Sequence, residues 1–306
     1  MSKTSSAFPS FVAAGEALTD MIRQDSEHWL GKVGGSTWNV ARVLASLGQS
    51  SAFAGAVSQD CFGDDLHAAS AAAGLDLRFL QRLNYSPLLA MVHSTHPPQY
   101  FFVGDNSADL HFDRHQLPTG WQQAVQWVHF GGISLARQPL AQHLIELAHE
   151  LKSRGVKISY DPNFRILMDE HYDTTLRTMS QLADVIKVSD EDLAGLFRTT
   201  DLAGALDTLR SWNPAAAILY TRGGDGASLY AGQDHFSAAA MQVKVVDTVG
   251  AGDASIGGLI YSMLNAPART TREHLLFSIA SGAAACQHAG ARPPTLPEVE
   301  QLYAQA

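Results

Sequence analysis

Apolar positions along the chain keep two alternating rhythms. Short β-branched or aromatic runs alternate with longer stretches whose apolar residues recur three and four apart. Residues 8–15, 51–57, 127–131, 156–160, 184–188 and 216–220 are runs of the first kind and are predicted as strands. The second kind is clearest at 36–47, where Val40, Val43, Leu44 and Leu47 share a face and Gly48 ends the helix. Similar spacing predicts helices at 60–73, stopped by Gly74, and at 139–154, 173–183, 191–197 and 202–212. Residues 227–230 and 241–246 read as strands flanking a turn, and helices at 254–264 and 271–288 complete the chain. Repeated strand–helix–strand units predict an α/β fold, with a mainly parallel sheet and helices on both faces.

The rhythm breaks once. Residues 88–93 and 99–103 are apolar or aromatic runs with no helix between them, only Thr95-His96-Pro97-Pro98, which reads as a hairpin. With the half-exposed stretch at 18–30 they predict a small sheet apart from the main one. No Pro/Gly/Ser linker and no internal repeat divides the chain. The expectation is therefore one domain over 1–306 with a β lid inserted in two pieces, about 16–34 and 86–110.

Composition narrows the class. Of the 306 residues 46% are apolar and 17% charged, enough for a large core and against extensive disorder. The net charge of −9 argues against a nucleic-acid or anionic-membrane surface, though not against a small anion held locally. Cys61 and Cys286 form no C-x-x-C pair and are expected to be buried free thiols in a reducing compartment. The thirteen histidines show no H-E-x-x-H spacing, so no dedicated zinc site is expected. Met1 to Ser6 lack an apolar signal core, and no apolar run reaches membrane-spanning length. A cytoplasmic protein is the expectation.

Candidate chemistry concentrates at strand ends, where ligands bind in such sheets. The stretch from Val243 to Gly258 reads as a β-branched strand, a small-residue turn and an apolar helix. A helix start offers unpaired N–H groups and partial positive charge. Gly250 and Gly252 leave that backbone open to an anion. Asp253 places a carboxylate beside it. A site that holds a phosphate and takes a proton from an attacking hydroxyl needs both features. Asp20 follows the first strand, Asp161 to Arg165 a middle one, and Thr221-Arg222-Gly223-Gly224 a later one. Gly250-x-Gly252 invites a dinucleotide-binding reading, but Ser255 stands where the third glycine belongs and the motif lies far from the first β-α-β unit. The P-loop pattern is absent. Gly257 and Gly258 cost roughly 1 kcal/mol each inside a helix, which suggests a backbone or ligand passing close.

Asp247-Thr248-Val249-Gly250-Ala251-Gly252-Asp253 resembles the second signature of the PfkB, or ribokinase-like, carbohydrate kinases. Gly34-Gly35-Ser36-Thr37-Trp38-Asn39-Val40-Ala41 is similar to that family's first signature. Gly15-Glu16-Ala17-Leu18-Thr19-Asp20, Asp161-Pro162-Asn163-Phe164-Arg165 and Lys187-Val188-Ser189-Asp190-Glu191-Asp192 resemble the fructokinase branch. The resemblance spans nearly the whole chain and implies a ribokinase-like fold that transfers the γ-phosphate of ATP to a sugar hydroxyl. Phosphoryl transfer is mostly positioning and charge stabilisation, which a glycine-lined helix start supplies.

The resemblance further implies roles for single residues. Asp253 would be the base, with the amides of Gly250, Ala251 and Gly252 as the anion hole. Asp20, Gly34, Gly35 and Asn39 would hold the sugar, and Arg165 would reach the phosphates or form a surface salt bridge. Lys187, Ser189, Thr221, Gly223 and Gly252 would meet the nucleotide, with the segment 282–290 flanking the adenine. Mg2+ would arrive with ATP. The family's Asn-x-x-Glu, which helps order that metal, is here Ser189-x-x-Asp192. A K+ ion would sit near carbonyls of Asp247, Val249 and the turn at Gly290. Trp38 replaces a smaller family residue and either narrows the pocket or packs in the core. In the lid, Phe101-Phe102-Val103-Gly104-Asp105 lacks an arginine that would suit an acidic sugar. Fructose or a related ketose leads as acceptor. The alternatives are a kinase for 2-keto-3-deoxygluconate, ribose or a nucleoside, and a silent sugar sensor of the same fold. A homodimer through the lid is compatible with its exposed sheet edge.

Overall fold

Nine strands make the main sheet, and their order explains where a ligand can sit. The computed structural model describes residues 7–95 and 98–306. In chain order the first half carries β1 (Phe11–Ala14), β2 (Leu18–Arg23), β3 (Trp29–Gly34), α1 (Ser36–Ser46), β4 (Ser51–Ser58), α2 (Cys61–Ala72), β5 (Leu80–Leu83), β6 (Leu89–Thr95) and β7 (Pro98–Val103). Next come β8 (Trp127–Gly131), α3 (Leu140–Ser153), β9 (Lys157–Asp161), α4 (Asp173–Leu182), β10 (Val185–Ser189), α5 (Asp190–Phe197) and α6 (Leu202–Trp212). The chain closes with β11 (Ala217–Thr221), β12 (Ala227–Ala231), β13 (Asp234–Ala238), α7 (Ala251–Asn265), α8 (Thr271–Cys286) and α9 (Leu296–Tyr303).

The sheet runs β13-β12-β11-β10-β9-β8-β1-β4-β5. From β11 through β5 every pairing is parallel, and β12 and β13 add antiparallel strands at one edge. From β1 the chain proceeds outward to β4 and β5, then returns to β8 on the other side of β1. Strand order thus reverses between β1 and β8, which opens a crevice beyond their C-terminal ends.

Alternation along β1 divides the core between the two faces. Val12 and Ala14 pack with residues of α3, α4, α5 and α6, such as Leu144, Met179, Leu193 and Leu209. Phe11 and Ala13 face the opposite way, toward Leu44, Leu66, Ile256 and Leu275 of α1, α2, α7 and α8. The helix α9 packs outside α8 through Val299.

The predicted small sheet is present, in the order β3-β2-β6-β7. Its pleat sorts side chains by face. Asp20, Ala90 and Phe102 stand in one register row, and Ile22, Val92 and Tyr100 in the next. Both rows face the crevice, while Phe101, Val103 and Trp29 are exposed on the outer side, and Leu30, in the Ile22 row, is exposed on the edge strand β3. The tip of the hairpin at His96 and Pro97 lies outside the described residues, as does the N-terminal stretch from Met1 to Ser6.

Four expectations need correction. Residues 241–246 are not a strand, because β13 ends the sheet at Ala238 and no neighbouring strand receives them. Asp234–Ala238 supplies the final strand instead, and α9 adds a helix past 288. Cys61 is exposed at the start of α2 and Cys286 half-buried, so neither is a fully buried thiol. The glycines inside α7 do accommodate close neighbours, but these are side chains of other helices. A Cβ on Gly257 would fall 2.5 Å from Val43 Cγ1, and one on Gly258 2.1 Å from Ser281 Oγ. Trp38 is fully buried and donates from Nε1 to Ser70 Oγ at 2.9 Å, which settles its role as packing. Among the described residues no helix is long and apolar enough to cross a membrane.

Candidate active site

The crevice at the strand reversal is a cavity of about 900 Å³ between the main sheet, the lid and the start of α7. Its floor is Glu16, just past β1, and Gly132 and Ile133, just past β8. The lid closes one side with Leu18, Asp20, Ile22, Ala90, Val92, Tyr100 and Phe102. Gly35, Ser36 and Asn39 from the start of α1 form a second wall, Asn163, Arg165 and Lys187 a third, and residues 245–250 with Gly252 and Asp253 a fourth.

Asp253 lies at the meeting of these walls in the first turn of α7. Ser36 Oγ donates to its Oδ1 at 2.7 Å and Asn39 Nδ2 to its Oδ2 at 2.9 Å. Both donors are neutral, and burial raises the Asp253 pKa above the ordinary carboxylate range while these bonds oppose the rise. Gly250 caps the helix at φ 80, in the left-handed region that glycine tolerates. Among the described residues the Gly252 and Asp253 amides have no acceptor within the chain. The Ala251 amide expected beside them is engaged instead, donating to the Thr248 carbonyl at 3.2 Å, so the free amides at this helix start are those of Gly252 and Asp253, suited to a phosphate.

Asp20 hangs from the lid. Burial pushes its pKa up to about 6, and the charge of Arg165 across the cavity limits the rise. Gly34 does not line the cavity. It makes room for Asp20, since a Cβ there would meet Asp20 Oδ2 at 2.6 Å. Among the described residues Arg165 forms no salt bridge. Its Nη1 donates to the Asn163 and Phe164 carbonyls and to Asn163 Oδ1, folding the guanidinium over its own loop.

Lys187 is buried between two acids, 3.3 Å from Asp161 and 3.4 Å from Asp192. Those carboxylates hold it protonated despite burial. Its ammonium lies 3.4 Å from where a Gly252 Cβ would be, so it backs the helix start with positive charge. Asp192 is already engaged. Its Oδ1 accepts from Phe164 N, and its Oδ2 from Ser189 N and Oγ in a capping box that begins α5. Among the described residues no group of three His, Cys, Asp or Glu side chains is arranged to hold a metal.

The structure gathers Asp20, Gly35, Asn39, Arg165, Lys187, Asp247, Val249, Gly250, Gly252 and Asp253 around one cavity. Ala251, Ser189, Asp192, Thr221, Gly223 and Gly290 lie outside its lining. Ser189 and Thr221 are register partners at the ends of β10 and β11, and Gly223 starts the following turn at φ 50. Asp247 joins the expected K+ neighbourhood together, but through its side chain: Oδ1 accepts from Val249 N and Oδ2 from Gly290 N.

Sequence reasoning assigned no role to Ser36, Glu16 or the aromatic pair Tyr100 and Phe102. Ser36 carried a signal, one position past the Gly34-Gly35 pair. Glu16 is 2% exposed, and its Oε2 accepts from Ser134 N and Oγ. Burial raises its pKa to about 7.

Residues 10–298 match the pfkB family of carbohydrate kinases. A fructokinase of Escherichia coli is 31% identical over 253 residues, covering 80% of this chain and 81% of that one. Fructokinase-2 of Zea mays is 30% identical, covering 96% of this chain and 94% of that one. Among solved structures, a fructokinase with bound ATP from Xylella fastidiosa superimposes at TM-score 0.88 with 27% identity, over 97% of this chain and 99% of that one. A double mutant of the fructokinase from Vibrio cholerae O395, in its fructose, ADP and potassium ion bound form, gives 0.82 at 26%, over 97% and 99%. The aminoimidazole riboside kinase from Salmonella enterica, complexed with aminoimidazole riboside and an ATP analog, gives 0.82 at 26%, over 96% and 99%.

Proposed function

The chain belongs to the pfkB family of carbohydrate kinases, phosphotransferases that act on a sugar hydroxyl, and on that premise we propose that its acceptor is fructose or a related ketose and its donor Mg-ATP. The observation that carries the reading is the placement of Asp253. It stands between a polar pocket under the lid, where Asp20 waits, and the unpaired amides that begin α7.

The transfer balances without any further reactant. Asp253 takes the proton of the sugar hydroxyl, the hydroxyl oxygen forms a bond to the γ-phosphorus, and the bond from that phosphorus to the ADP oxygen breaks. Asp20 accepts from other sugar hydroxyls and orients the ring. Asn39 keeps one amide hydrogen for the sugar, since the other goes to Asp253. The Gly252 and Asp253 amides, backed by Lys187, hold the phosphate as charge moves on to it. Magnesium, when bound with the nucleotide, neutralises the phosphates and aligns them.

The inward rows of the lid support a neutral acceptor. Of the lid residues that line the cavity Asp20 is the charged one, and the others are apolar or aromatic, while its register partner Lys32 is exposed outside that lining. Arg165 across the cavity is turned to the oxygens of Asn163 and Phe164, and the lid residues that line the cavity bring no cation to meet an acidic sugar. The apolar row Ile22, Val92 and Tyr100 fits a flat aglycone, which favours a riboside as the second reading. A sugar panel with Mg-ATP, followed by ADP release, tests the proposal. Turnover is expected to be fastest with fructose. Faster turnover of a riboside or of an acidic sugar would overturn the choice of acceptor. Thermal stabilisation by a sugar with no ADP release on any of them would favour a sensor.

A further inference from the structure

The helix that carries Asn39 holds one charged residue to which the sequence assigned nothing. Arg42 is half-buried on α1, and its guanidinium lies 4.3 Å from the centre of the buried Trp38 ring. Its Nη1 donates to the Ala291 carbonyl at 3.2 Å and to Asn39 Oδ1 at 3.4 Å. Asn39 Nδ2 in turn donates to Asp253 Oδ2 at 2.9 Å.

An amide side chain has an accepting end and a donating end. With a guanidinium at one end and a carboxylate at the other, only one orientation of Asn39 satisfies both neighbours. The flipped amide would turn its oxygen on the carboxylate and its N–H groups on the guanidinium. Arg42 therefore selects the orientation in which Asp253 receives a hydrogen bond.

Its other bond reaches a different part of the chain. Ala291 backs the cap of α7, since a Cβ on Gly250 would lie 3.0 Å from Ala291 Cα. The adjacent Gly290 N–H donates to Asp247 Oδ2 at 2.8 Å, at the root of the same loop. One guanidinium thus ties the residue that holds the base to the turn that supports the phosphate-facing helix start. Arg42 Nε is buried without a partner, a cost that structural packing alone does not require.

We propose that Arg42 is a positioning residue for phosphoryl transfer, fixing the Asn39 amide against Asp253 and the Ala291 turn behind Gly250. It lies outside the cavity lining and acts through these two partners. Lysine cannot replace it fully, because an ammonium lacks the planar face that stacks on an indole while Nη1 reaches both oxygens. The inference rests on carbohydrate kinase activity and not on fructose as the acceptor.

The test compares the full-length wild type with Arg42→Met, Arg42→Lys and Arg42→Ala, using initial rates with fructose and Mg-ATP alongside thermal unfolding. Arg42→Met is expected to lower kcat about 10–100-fold, the scale of loss for misplaced catalytic groups, with both KM values little changed. Arg42→Lys should recover part of the loss, and ethylguanidinium added to Arg42→Ala should restore activity in a saturable way. Wild-type kcat in Arg42→Met overturns the proposal. So does a loss that tracks the folded fraction, with no ethylguanidinium rescue in a folded Arg42→Ala. If the wild type turns over another sugar in place of fructose, the acceptor reading alone falls, and the variants are compared on that sugar.

Discussion

At the lid end of the cavity the working atoms belong to side chains, each pinned by a neighbour. Asp253 is held by Ser36 and Asn39, Glu16 by Ser134, and Asp20 sits over Gly34 opposite Arg165. At the other end the groups facing the cavity are mainly backbone, with Lys187 behind them. The Gly252 and Asp253 amides stand free, nothing lies near a Cβ built on Gly223 or Gly224, and Val245, Val246 and Val249 are more than half exposed. The first end is shaped by chemistry that substitution can remove one group at a time. The second presents a shape that any residue with the same backbone would give. Selectivity for the acceptor should therefore respond sharply to mutation at the lid end, while the nucleotide end should respond mainly to changes in backbone freedom.

The strongest test of that contrast is Asp253→Asn, which keeps the shape and removes the proposed proton acceptor. Turnover should fall about 10²–10⁴-fold, the range for a general base, with sugar binding retained in a calorimetric titration. Near-wild-type turnover would end the assignment. Asp20→Ala comes next. Losing a bond to a charged group should raise the sugar KM roughly 10–100-fold and leave the KM for ATP alone. A rise in the ATP KM instead would reverse the two ends.

The smallest effect is in the pH dependence. A carboxyl raised to about 6 by burial is protonated as pH falls through that value, and Asp20 then loses charge as an acceptor. The sugar KM should rise below about pH 6, whereas an unperturbed carboxylate would hold until roughly pH 4. The KM for ATP should stay flat over the same interval. Asp20→Asn should remove this limb, and a limb that survives in that variant would assign it to another group.

Much of this was legible in the sequence because local rules and the fold agree. The helix at 36–47, the lid strands and the cradle at Gly250 to Asp253 each carry their own periodicity or turn chemistry. The errors fall where the outcome depends on a distant partner. Val243, Val245 and Val246 have the composition of a strand, but strand formation needs a neighbour with a free edge, and β13 lies elsewhere. What Ser189 and Asp192 hold locally was not legible either, since in the fold they close a capping box and Asp192 meets Phe164, 28 residues upstream. Arg42 occupies a helix position that looks like a solvated face, and only the arrival of Ala291, 249 residues later, encloses it. By contrast α9 announced itself through Thr295, Pro297 and Glu298, a capping signal that the apolar rhythm alone does not register.

The pleat of the lid bears on how such a protein diversifies. The inward rows at Ile22, Val92, Tyr100 and Phe102 come from two separate segments, and none of them touches the hydrogen bonds of Asp253. Substitutions there would alter what the cavity admits and leave the proposed proton acceptor and its tethers intact. A lineage can thus drift in diet along one face of a small sheet while selection on the chemistry acts elsewhere.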